Sequence, residues 1–140
     1  MPLRAVMDTN VLYAALHSQL GASFEILRRL RVGAWTAVVS NHLIHEYEEI
    51  LKSKADELGL SLEDVDELLN AICARAEECQ LRPGWWPVLS DPDDEPLVQL
   101  ASESNAKRIV THNWKHLSPA AKIGIEVLKP GEFLTILTAA

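Results

Sequence analysis

Short apolar runs that end on polar residues, and that alternate with segments of helical periodicity, constrain this chain more than any other feature of its sequence. Leu3–Met7 is one such run, closed by Asp8, and Trp35–Val39 is another, closed by Ser40; Ile109 and Val110 lead into Thr111. Residues 125–128 make a last strand, and Val88-Leu89 a short one after the breakers Pro83, Gly84 and Pro87. Helices are predicted over residues 11–17, 22–31, 41–55, 61–76 and 130–137, with a further one capped by the 91–96 segment and running to Asn105. Strands apolar on both faces and joined through helices imply βαβ units. The expectation is an α/β fold with three layers, α/β/α, around a mainly parallel sheet.

At 140 residues, with 48% hydrophobic and 24% charged residues, one packed domain over residues 1–140 is expected. No apolar run reaches the roughly 18 to 20 residues that span a bilayer, and Asp8 interrupts the N-terminal run too early for a secretory signal, so the expected setting is the cytoplasm. Cys73 and Cys79, six apart in a segment that reads as helix, are expected as reduced thiols on different faces. Zinc is not expected, since none of the five histidines is paired at ligand spacing. The net charge of −7 argues against indiscriminate nucleic-acid adhesion but leaves room for an acidic metal site.

Ligands of open parallel sheets bind outside the carboxyl ends of the strands, which singles out Asp8, Ser40 and Thr111 to Asn113. Asp8 could equally be an ordinary helix N-cap. In the helix beginning at Asn41, the stripe Leu43, Ile44, Tyr47, Ile50 and Leu51 places Glu49 in solvent and both Glu46 and Glu48 at its borders. Phase alone favours solvated flank charges for both. Four acids crowd into Asp91, Asp93, Asp94 and Glu95, more than an N-terminal cap needs. On the Leu97, Val98, Ala101 stripe, Asp94 faces inward. Oxygen donors without Cys or His suit Mg²⁺ or Mn²⁺.

In order along the chain, Met7-Asp8-Thr9-Asn10-Val11-Leu12, the run from Ser40 to Leu51, the Asp91-Pro92-Asp93-Asp94-Glu95 box and Thr111-His112-Asn113 together resemble the PIN domain, most closely its branch of toxins from toxin-antitoxin systems. The resemblance implies a metal-dependent ribonuclease, hydrolysing RNA phosphodiester bonds with one or two Mg²⁺ or Mn²⁺ ions. It implies Asp8, Glu46 and Asp94 as metal ligands, with Glu95 as the competing register for the third acid. Asn113 stands where the family often has Asp, which puts a second metal in doubt. Asn10, Ser40 and Thr111 match residues that orient the acids. A homodimer and a bound antitoxin protein are also implied.

Beside these stand weaker signals. Lys107, Arg108, Lys115 and His116 form a basic patch expected beside the Thr111 rim, a candidate RNA contact; Arg28, Arg29 and Arg31 form a second. Trp85-Trp86 reads as a loop cover over the core more than as a base platform, and His17, His42 and His45 as surface residues. Two rivals remain: a PIN-shaped binding module that has lost catalysis, and a receiver-type phosphoacceptor, which lacks a phosphorylatable Asp after its middle strand.

Overall fold

The computed structural model describes residues 2–139. Its core is a sheet of five strands, β1 (Leu3–Met7), β2 (Trp35–Val39), β3 (Ala76–Glu78), β4 (Arg108–Val110) and β5 (Glu126–Leu128), in the order β3-β2-β1-β4-β5. Every pairing is parallel, with Ala5 opposite Ala37 and Val6 opposite Ile109. This order differs from the 2-1-3-4-5 of receiver-type folds, which removes that rival. Eight helices cover the sheet: α1 (Thr9–His17), α2 (Ala22–Arg31), α3 (Asn41–Ser53), α4 (Ala55–Leu58), α5 (Leu62–Ala74), α6 (Glu95–Glu103), α7 (Trp114–Leu117) and α8 (Pro130–Ala139). The chain steps outward from β1 through β2 to β3 and then crosses back to β4 beside β1; with the right-handed connections that parallel sheets take, this order puts α6 on the face opposite the outward helices. The three-layer α/β/α expectation holds.

Strands β1 and β2 are mostly buried because, apart from Arg4 and Thr36, their residues are apolar on both sides of the pleat, as a doubly covered sheet requires. Trp35 fills the space below β2, its indole N–H donating to the Ile26 carbonyl at 2.9 Å and its ring meeting Phe133 edge-on at 5.1 Å. Two caps fix where helices begin. Ser40 Oγ accepts the Leu43 N–H at 3.1 Å, and Ser61 forms a reciprocal capping box with Asp64. Gly33 ends α2 with φ +81°, where an added Cβ would sit 3.0 Å from the Arg75 guanidinium.

Three expectations are corrected. The segment 76–79 is not helical: α5 stops at Ala74, and Ala76–Glu78 pairs in parallel with β2, the ladder continuing through the Cys79 N–H to the Val39 carbonyl at 2.8 Å. Cys79 therefore follows a strand, and both cysteines are free thiols. Val88-Leu89 is no strand, because a side chain rather than a neighbouring backbone takes its N–H groups, as described below. Helix α7 and a 3-10 segment over Ser118–Ile123 follow the 112–113 turn, where no element was expected. No helix among the described residues is long and apolar enough to cross a membrane.

Candidate active site

The sheet's register brings the carboxyl ends of β1 and β4 level. The Asp8 N–H donates to the Val110 carbonyl at 2.9 Å and the Thr111 N–H to the Leu128 carbonyl at 2.9 Å, so the residue after each strand stands on the same rim. Asp8 is 5% exposed and Thr111 fully buried. Asp8 opens α1 but makes no side-chain cap. Its Oδ2 instead accepts the Thr111 hydroxyl at 2.7 Å, and that same hydroxyl accepts the Asn113 N–H at 2.9 Å. With its lone pair engaged by Asn113, the hydroxyl has its proton free for Asp8.

Glu46 reaches the same place from α3. The helix is pinned to the tip of β1 by the buried Tyr47 hydroxyl, which donates to the Met7 carbonyl. One position before Tyr47, Glu46 turns to α1, where its Oε1 accepts the Thr9 hydroxyl at 2.5 Å. Glu48, the other border acid, turns away to Lys52 at 3.3 Å. The two acids that helical phase could not separate are thus separated by what each meets.

Asp94 comes from the 3-10 turn Pro92–Asp94, whose first position is fixed by Pro92 and by the Asp93 N–H donating to Asp91 Oδ1 at 2.9 Å. Asp8, Thr9, Asn10, Tyr13, Glu46, Ile50, Lys54, Asp94 and Asn113 line one open cleft of about 350 Å³. Asn10 also braces the rim, its Oδ1 accepting the His112 N–H at 3.2 Å. The three acids sit on three separate elements and face one cavity. Among the described residues, no three acidic, Cys or His side chains stand close enough to close a cation cage.

Charge is costly in this cleft. Burial is the largest influence on Asp8 and raises its pKa; the Thr111 hydrogen bond opposes it, and the charges of Asp94 and Glu46 raise it further, to about 6. Asp94 is raised as well, first by burial, then by Asp91 and Glu46, with His116 pulling the other way. Oxygen-only donors that repel one another across an open cleft suit a hard divalent cation, which would offset the repulsion. By donor chemistry Asp8, Glu46 and Asp94 are of the kind such an ion takes, while their carboxylates as they stand are not drawn together into a closed cage.

Other expected site residues lie elsewhere. Glu95 turns away from the cleft and is 9% exposed; its carboxylate accepts the Leu89 N–H at 2.6 Å, the Val88 N–H at 2.9 Å and the Trp85 indole N–H at 3.2 Å. It holds the 85–89 loop, which corrects its reading as an alternative metal ligand. Ser40 caps α3 and lines a separate pocket with His42 and Cys79, away from the acids it was expected to orient. The basic patch is divided: Lys107 and Arg108 lie at the amino end of β4, opposite the rim, with Arg108 paired to Glu126 at 3.1 Å. Lys115, on α7, stays at the carboxyl end. In the other patch, Arg28 and Arg29 are both spent on Glu25.

Thr9, Tyr13 and Lys54 were not singled out in the sequence. Thr9 could have been, as the hydroxyl following the rim acid; Lys54 sits past the main helix, where only the α3 to α4 break brings it to the cleft. Trp86 is 85% exposed, whereas Trp85 is half-buried over the core.

Among curated proteins, none matches the chain by sequence. By structure, it is similar to a chain in the crystal structure of VapBC2 from Rickettsia felis bound to a DNA fragment from their promoter, with a TM-score of 0.58 and 16% identity, covering 91% of this chain and 98% of that one. Identity that low speaks to the fold. The sequence profile of the PIN domain matches residues 4–115, a span that holds Asp8, Glu46, Asp94 and Asn113, and with four-fifths of the chain matched, this protein belongs to the PIN domain family.

Proposed function

We propose that this protein is a Mg²⁺- or Mn²⁺-dependent endoribonuclease, the toxin of a toxin-antitoxin pair. PIN domains are generally nucleases that depend on divalent metal ions. The observation that carries the reading is the convergence of Asp8, Glu46 and Asp94, from three elements, on one cleft where their negative charges repel. The three would hold the ion, which when bound supplies an activated water and neutralises the phosphodiester.

The chain's own contribution is orientation. Thr111 donates to Asp8 and so favours its ionised form, and Thr9 fixes the rotamer of Glu46. Asn113 brings a neutral amide to the cleft mouth, so it can accept or donate a hydrogen bond there without adding to the charge of the three acids. Lys54 borders the same mouth, its ammonium group 4.0 Å from the Glu57 carboxylate.

Incubating a mixed-sequence RNA with the protein in Mg²⁺, Mn²⁺ or EDTA tests the reading. Cleavage should need the metal and vanish in Asp8→Asn while that variant stays folded. Full cleavage in EDTA sinks the metal-dependent mechanism. RNA binding with no cleavage under any metal would favour a non-catalytic binding module.

The toxin assignment is supported by the fold shared with a VapBC2 chain and by the −7 charge, which attracts a basic partner segment. Such a pair would act on cytoplasmic RNA. The reading also entails self-pairing. Light scattering should give a mass near 2 × 15.6 kDa, and a mass of 15.6 kDa refutes the homodimer.

A further inference from the structure

Beside the acid cleft lies a cluster that the metal site does not use. Asn113 lines the cleft, and the next residue, Trp114, opens α7 and is 37% exposed. Lys129, at the carboxyl end of β5, places its Nζ 4.5 Å from the centre of the Trp114 ring, and Lys115 places its own at 5.5 Å. Of the thirteen Lys and Arg residues, Arg4, Arg28, Arg29, Lys52, Lys54 and Arg108 each engage a carboxylate. Among the described residues, Lys115 and Lys129 form no ion pair.

Two unneutralised ammonium groups on an indole face, on the same rim as an acidic cleft, are suited to one ligand chemistry. A cation over an exposed ring is weakly held and gives way readily to a phosphate oxygen. The ring it leaves can stack on a base, and a base is free to stack only when it is not already stacked in a duplex. The acids alone would repel a polyanion. The two lysines add attraction beside a cleft whose lining cation, Lys54, already faces Glu57.

We propose that Trp114, Lys115 and Lys129 form a clamp for an unpaired nucleotide beside the scissile phosphate, the indole stacking on its base and the two ammonium groups contacting flanking phosphates. This rests on the reading of the acid cleft as a phosphodiester site, and it makes the substrate single-stranded. Stacking does not require the 2′-hydroxyl, so single-stranded DNA of the same sequence should engage the clamp too.

The test is fluorescence anisotropy of a labelled single-stranded RNA of about twelve nucleotides, the matching DNA and the RNA duplex, with Asp8→Asn as parent to prevent turnover. Adding Trp114→Ala should weaken single-strand binding about tenfold or more, with Trp114→Phe recovering most of it and the duplex unaffected by either. Lys115→Gln and Lys129→Gln, both on exposed side chains, should each flatten the salt dependence by about 0.7 in log–log slope. Equal binding by the parent and all these variants overturns the clamp, as would clamp-dependent capture of polyglutamate with no RNA binding. If Trp114-dependent binding persists but the wild-type protein never cleaves RNA in Mg²⁺ or Mn²⁺, the hydrolytic reading falls and the clamp stands. Cleavage indifferent to Trp114, Lys115 and Lys129 has the opposite meaning.

Discussion

The Thr111 hydroxyl donates to Asp8 Oδ2 at 2.7 Å across 103 positions of sequence, and it opposes the burial that raises the Asp8 pKa. Thr111→Val removes that opposition while keeping the shape of the side chain. Hydrogen bonds to charged groups contribute about 1.5 to 3 kcal/mol, so the acid limb of the activity profile should move up by about one to two pH units. A pH profile of RNA cleavage measures this; an unmoved limb shows that Thr111 does not govern Asp8.

Asp8 itself should make the metal-free protein less stable as pH rises. Its folded pKa, about 6, lies above the ordinary 3.8, so the fold favours the protonated form. That contribution is fully present below about 3.8 and is lost as pH climbs through about 6, amounting to roughly 2 to 3 kcal/mol at neutral pH. Asp8→Asn should erase this loss and match or exceed the wild type in urea titrations at pH 7.5 in EDTA. Added Mg²⁺ should stabilise only the wild type. Collapse of Asp8→Asn in EDTA contradicts the electrostatic account.

Thr9 and Glu48 offer a contrast. Thr9→Val frees Glu46 Oε1 from its 2.5 Å hydrogen bond and should weaken Mn²⁺ binding about tenfold, as loss of a group that orients a ligand does. Glu48→Gln, at a carboxylate hydrogen-bonded to Lys52 and outside the cleft lining, should leave Mn²⁺ affinity unchanged. Calorimetric titration of both variants decides whether the two border acids have the separate roles their contacts give them.

Glu95→Gln should lower stability by about 1 to 3 kcal/mol, because a neutral amide cannot accept from all the N–H groups that converge on this carboxylate. Metal affinity should stay within twofold, roughly the scatter expected away from the ligands. Chemical denaturation and Mn²⁺ titration together check it. A large loss of metal affinity at full stability would return Glu95 to the cleft.

Much of this fold was legible because its strands announce themselves. Leu3–Met7 and Trp35–Val39, Arg4 and Thr36 apart, are apolar on both faces and stop at polar residues, so the sheet, its parallel sense and the rim positions of Asp8 and Thr111 follow from the chain. Strand β3 was not legible. Ala76-Glu77-Glu78 has no strand pattern, and it is extended because β2 offers it an open edge, a tertiary effect that overrides local preference. Val88-Leu89 failed in the opposite direction: it has the composition of a strand, but Glu95 takes its N–H groups. The same carboxylate explains why Asp94 and Glu95 could not be separated before their partners were known. Helical phase placed Asp94 inward, and only the loop beneath shows why its neighbour is needed elsewhere.

The two outer strands carry a consequence for assembly. β3 and β5 are each three residues long, and they bear Glu77, Glu78 and Glu126, exposed, with Arg4 and Arg108 drawn inward onto Glu77 and Glu126. A second copy laid strand to strand along either margin would find few backbone groups to pair with and would set like charges against each other. Continuous growth of the sheet from molecule to molecule is thereby discouraged. Any contact between copies is directed away from the sheet margins and toward the helices and loops that cover the two faces.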